Sequence, residues 1–101
     1  MDIKPGDVVL CEFYFSDFQK SKRRPVVVLK DNLPFDDFVG IPISSKIEKL
    51  NSDESLLESS DIREGTLPKT SKVMVRKTFV ISKAVVQKKY GELTESRFEQ
   101  L

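Results

Sequence analysis

The stretch Lys4-Pro5-Gly6-Asp7-Val8-Val9-Leu10-Cys11-Glu12-Phe13-Tyr14-Phe15 decides how the chain folds. Pro5 fixes φ and Gly6 admits φ > 0, so residues 4–7 read as a turn. Residues 8–15 are rich in β-branched and aromatic side chains and read as a strand. Val9, Cys11, Phe13 and Phe15 alternate onto one face and Val8, Leu10 and Tyr14 onto the other, so both faces are mostly apolar. Such a strand is covered on both sides rather than solvated on one. Cys11 within it reads as a small core residue rather than a nucleophile.

Outward from this strand, residues 16–24 are polar and basic and read as a mobile loop. Pro25-Val26-Val27-Val28-Leu29-Lys30 is a second strand with proline at its first position, where a missing N–H is tolerated. Residues 31–34 form a turn, and residues 38–43 a third strand, bent at Gly40 and Pro42. Residues 46–64 are ambiguous: 46–50 suit one helical turn, and Leu56-Leu57 suit docking of a loop. Leu50, Leu56 and Leu57 there offer apolar side chains to a dimer face. Residues 65–68 mark a turn, and residues 71–81 give one or two strands, with Val73, Val75, Lys77 and Phe79 in alternation. Helical signals follow. Ser82 suits the cap of a turn over residues 83–89 that Gly91 would end, and Thr94 the cap of a helix over 95–100, with Glu95 against its N-terminal dipole. Four or five short strands and a helical tail imply a small, mainly β, barrel-like domain over residues 1–101.

The chain's 101 residues, 39% hydrophobic and 33% charged, suit one compact domain rather than a disordered chain. No apolar run approaches the roughly 20 residues of a membrane helix, and the first residues lack the apolar stretch of a signal peptide. One cysteine excludes an intramolecular disulfide. These features agree with a cytoplasmic protein away from membranes. The chain has no histidine, which removes Ser-His-Asp triads, Cys-His dyads, His-ligated zinc and paired-His cleavage of RNA. Catalysis would have to run on Arg, Lys, Ser, Thr, Tyr or carboxylates.

A formal net charge of +1 hides a strong segregation. Residues 36–64 carry three basic and eight acidic groups, whereas residues 65–91 carry seven basic groups (Lys69, Lys72, Arg76, Lys77, Lys83, Lys88 and Lys89) and none acidic. With Lys20, Lys22, Arg23 and Arg24, two segments offer a cationic surface to a polyanion. Charge alone does not separate that from lysines spread over several solvated faces.

Several short motifs, in order and at matching intervals, carry a family resemblance. Lys4-Pro5-Gly6-Asp7-Val8-Val9-Leu10, Lys22-Arg23-Arg24-Pro25-Val26-Val27-Val28-Leu29, Ile41-Pro42-Ile43-Ser44-Ser45, Leu67-Pro68-Lys69-Thr70-Ser71-Lys72-Val73 leading to Ile81-Ser82-Lys83, and Gly91-Glu92-Leu93-Thr94-Glu95 resemble the MazF/PemK toxins. The resemblance implies an SH3-like β-barrel with a short C-terminal helix, usually a homodimer. It implies the toxin half of a type II toxin–antitoxin pair, countered by an acidic, partly disordered MazE-like antitoxin. The activity implied is a cofactor-free, metal-independent endoribonuclease that cuts single-stranded messenger RNA.

Arg24, directly before Pro25, matches the family's functional arginine, and Ser44 falls where the family usually carries a functional threonine. The resemblance thus implies catalytic roles for both. Lys20, Lys22 and Arg23 suit general phosphate attraction, and Ser45, Lys46, Lys69, Arg76 and Lys77 are groove candidates for RNA binding. Departures cluster on proton acceptors. Gln19 stands where the family often has a carboxylate, leaving Asp17 nearby. Arg76 and Phe79 replace an acidic residue and an arginine, and Val80-Ile81-Ser82 replaces the usual Thr-x-Asp. The general base is unassigned. Two alternatives follow: a non-enzymatic toxin like the gyrase poison CcdB, or a barrel that binds RNA without cutting it.

Overall fold

A computed structural model describes residues 2–15 and 20–101, the side chains of residues 14, 15 and 20 excepted. Alternation along the first two strands builds the interior. β1 (Asp7–Phe15) and β2 (Lys20–Lys30) are antiparallel, with Val8 opposite Val27 and Val9 opposite Val26. Because the side-chain period is two, Val9, Cys11, Val26 and Val28 enter one cluster with Ile3, Phe38 and Ile81. Val8 and Val27 enter a second, with Ile41, Ile43, Leu57, Val73 and Leu93. All of these are buried, so the first strand is covered on both sides, as its composition predicts.

β3 (Asp37–Ser44) follows a turn in which Asn32 has φ 60°. β4 (Glu54–Leu57), β5 (Ile62–Gly65), β6 (Ser71–Met74), β7 (Phe79–Ser82) and β8 (Val86–Leu93) complete eight strands among the described residues. The order is β4-β6-β3-β2-β1-β8-β5, with β7 also on β3, and every pairing is antiparallel. The sheet curls into a barrel-like, mainly β fold with one short C-terminal helix, α1 (Glu95–Glu99). The bend expected at Gly40 and Pro42 is where β3 changes partner: residues 37–40 pair with β7, and Ile43 and Ser44 with β6.

Several expectations need correction. Residues 20–24 belong to β2 rather than to a loop; residues 16–19, including Asp17 and Gln19, lie outside the described residues. Residues 46–50 form no helical turn. Instead, buried Lys72 donates to the Lys49 carbonyl at 2.9 Å and to Glu54 at 2.8 Å. Leu56 and Leu57 are strand residues, and Leu57 is fully buried, so of the three leucines only Leu50 and Leu56 are exposed. Ser82 Oγ does accept from the Ala84 N–H, but the turn stops at Val85. Residues 86–93 are strand because the open edge of β1 supplies ladder partners that a helix would leave empty. Among the described residues eight strands replace the four or five expected, since residues 46–64 contribute β4 and β5 and residues 86–93 contribute β8.

The C-terminal helix forms as read, with Thr94 Oγ1 accepting the Arg97 N–H. Buried Arg97 then donates to Ser55 Oγ at 2.7 Å and to the Leu56 carbonyl at 2.9 Å, fastening the helix to β4. Among the described residues no helix is long and apolar enough to cross a membrane.

Candidate functional site

Two prolines decide where the barrel opens. The last pair of the β2–β3 ladder is Val26 with Pro42, and neither Pro25 nor Pro42 has an N–H to extend it. Beyond that point β2 runs on beside β1 to Lys20, whereas β3 runs on beside β6, with Ser44 opposite Lys72. A cleft of about 240 Å³ fills the divergence. Arg24 lies two residues before Val26 and Ser44 two after Pro42, each on a strand end that diverges from the other beyond that last pair. Arg23, Arg24 and Pro25 line the cleft from β2, and Ile43, Ser44, Ser45 and Lys46 from the end of β3. Leu67, Pro68, Lys69 and Ser71 come from the segment entering β6, and Tyr90 from β8.

Among the described residues the lining holds four cations (Arg23, Arg24, Lys46 and Lys69) and no carboxylate. In such surroundings an anion gains from every wall. Arg24 is exposed, not buried in the core. Ser44 Oγ accepts the Lys46 N–H at 3.1 Å, which leaves its O–H free to donate to a bound group. Ser71 Oγ donates to the Lys69 carbonyl at 3.0 Å and holds the floor. Glu12, across the β1–β2 ladder, stands 3.8 Å from the Arg23 guanidinium and accepts 2.6 Å from Ser21 Oγ, so it anchors the strand that carries both arginines.

Six of the expected site residues are thus gathered: Arg23, Arg24, Ser44, Ser45, Lys46 and Lys69. Lys22 is exposed on β2 opposite Phe13 and does not line the cleft, and the Lys20 side chain lies outside the described residues. Arg76 and Lys77 are also outside it, on the turn between β6 and β7, where Arg76 meets Asp53 at 2.6 Å. Much of the basic 65–91 segment is engaged internally: Lys72 with Glu54, Lys83 with Asp31, and Lys89 with Asp7 and Glu92. The cationic surface expected from the two segments is thus broken up, and three of its side chains, Arg23, Arg24 and Lys69, line the cleft together with Lys46.

Sequence reading missed Tyr90, Leu67, Pro68 and Ser71. Tyr90 fell in a stretch read as a helical turn running to Gly91, and nothing local marks it as facing Arg24. Cys11 is buried, and burial pushes its thiol up to about 11, which agrees with a core role. Among the described residues, no group of three or more His, Cys, Asp or Glu side chains is arranged to hold a metal ion. Against known proteins, the family model described as PemK-like, MazF-like toxin of type II toxin–antitoxin system matches residues 4–101. No curated protein matches the chain.

Proposed function

The chain belongs to the PemK-like, MazF-like toxins of type II toxin–antitoxin systems, and from that premise we propose that it is an endoribonuclease cutting single-stranded messenger RNA in the Arg24–Ser44 cleft. The observation that carries the reading is the meeting of Arg24 and Ser44 at one cationic opening, two residues beyond the last β2–β3 pair.

In this reaction the ribose 2′-oxygen attacks the adjacent phosphorus. The new P–O2′ bond forms, the P–O5′ bond breaks, and the products are a 2′,3′-cyclic phosphate and a 5′-hydroxyl. The 2′-OH gives up its proton to solvent, and the departing 5′-oxygen gains one. Charge on the phosphorane is the term this site is built to meet. The planar fork of Arg24 spans two phosphate oxygens, and the Ser44 O–H donates to a third group on phosphorus. Arg23, Lys46 and Lys69 hold the flanking phosphates. With no imidazole in the chain and four cations in the lining, electrostatic stabilisation carries most of the rate.

Partners follow from the same charge. An acidic, partly disordered antitoxin segment would occupy the opening and exclude RNA, folding as it binds. We place the active toxin in the cytoplasm as a homodimer.

Purified protein incubated with mixed RNA in EDTA should yield fragments whose 5′-hydroxyl ends map to a recurring short sequence. Arg24→Ala should lower the cleavage rate about 10²- to 10³-fold with an unchanged far-UV spectrum. RNA bound tightly but left whole would favour the non-cutting barrel, and growth arrest without fragments the gyrase-poison alternative.

A further inference from the structure

We infer that Tyr90 is the platform on which the cleft stacks one nucleobase, which makes it the residue that reads the strand rather than its phosphates. The inference rests on the nuclease reading for the class of ligand, and on the backbone for the residue. Along the β1–β8 ladder, Val8 faces Gly91 and Val9 faces Lys89, so Tyr90 is an extra residue with no partner on β1. A bulge of this kind takes a side chain out of the regular alternation and re-aims it, and bulges concentrate beside active sites. Here the re-aimed ring lines the cleft that also holds Arg24 and Ser44.

The ring is held for this task. Its inner part packs against the second core cluster. The Tyr90 carbonyl accepts the Thr66 N–H at 3.1 Å. Gly65, at φ +89°, lets β5 approach that carbonyl where any Cβ would collide with it. Lys88 Nζ stands 5.0 Å from the ring centroid, a cation–π contact on one face. The ring is therefore held in place before a base arrives.

Among the described residues every other lining side chain is cationic, hydroxyl-bearing or aliphatic, and Tyr90 is the only aromatic. Cations and hydroxyls can hold the backbone, whereas the unstacked bases of a single strand are commonly held by stacking on aromatic rings. The volume of about 240 Å³ lies below the roughly 300–1,000 Å³ of sites for drug-sized ligands, which suits one base rather than two.

The test uses the full chain and a mixed-sequence 2′-fluoro single strand, which lacks the attacking hydroxyl, beside the same strand with abasic positions. Tyr90→Leu, which keeps apolar packing if Tyr90→Ala unfolds, should weaken binding of the base-bearing strand roughly 5- to 150-fold. It should leave the abasic strand within about twofold and the salt dependence unaltered, since no phosphate contact is lost. Tyr90→Phe should bind like the parent. The chain has no Trp and two Tyr, so in a Tyr14→Phe background the emission comes from Tyr90 alone, and the base-bearing strand should quench it. Equal losses on both strands, no loss on either, or a Tyr90→Phe as weak as Tyr90→Leu would overturn the platform. A parent protein that binds and cuts RNA while Tyr90→Leu binds normally defeats the platform alone. One that binds but never cuts, with the Tyr90→Leu loss present, defeats the nuclease reading and leaves the platform standing.

Discussion

In the proposed reaction the shape of the Arg24 guanidinium matters as much as its charge. A lysine there keeps the cation but presents a single point of donation instead of a planar fork. Arg24→Lys should therefore keep the salt dependence of RNA binding while cleavage falls by at least about tenfold, measured as single-turnover rate beside affinity for an uncleavable strand. Cys11 makes the opposite kind of point. With its thiol pushed up to about 11, only about one molecule in a thousand is thiolate at pH 8. The native protein should resist a thiol reagent there and react at the ordinary rate once unfolded in urea. Arg24 and Ser44 were singled out in sequence because each lies in a short family motif, although residues 16–24 read as a loop and the third strand as ending at Ile43. Tyr90 was not, since its place in the cleft goes with a bulge, and a bulge is a relation between two strands that neither spells out.

Among the elements, β3 is closely held at Gly40, where it is paired with both β2 and β7. A Cβ there would run into Val26 Cγ1 and Ile81 Cδ1. Gly40→Ala should destabilise the fold by about 1–3 kcal/mol through overpacking, seen in urea titration as a lower midpoint with an unchanged m-value. The strands over residues 8–15 and 25–30 and the Thr94-capped helix were readable because local propensity and final structure agree there. Around β8 they conflict. Ser82, the lysines of residues 83–89 and Gly91 spell a capped and terminated helix, but Val85-Val86 and the empty edge of β1 favour a ladder, and tertiary pairing overrides weak helix propensity. Residues 46–64 stayed ambiguous for a related reason. β4 and β5 are four residues each and depend on partners far along the chain, β6 and β8.

Across the whole molecule, charges segregated in sequence become interleaved in space. Glu92 is the hub: it is buried, and Lys89, Lys4 and Arg63 all reach it. Hydrogen bonds from Lys89, then Lys4 and Arg63, hold its carboxyl far below the usual value of 4.5. A depressed carboxyl stabilises the fold above its unfolded pKa and loses that contribution as protons return. Stability should therefore decline as pH falls below about 4.5, and in Glu92→Gln the protein should be weaker at pH 7 with a shallower acid decline, followed by urea midpoints from pH 7 to 3. The last strand also lies against the first, and it brings Tyr90 to an opening whose arginines were made much earlier. A ribosome reading this message thus releases Arg24 long before the pocket exists. A product cut short before Val86 has a bare edge on its first strand and lacks Tyr90, so the cleft is completed only once β8 has been made.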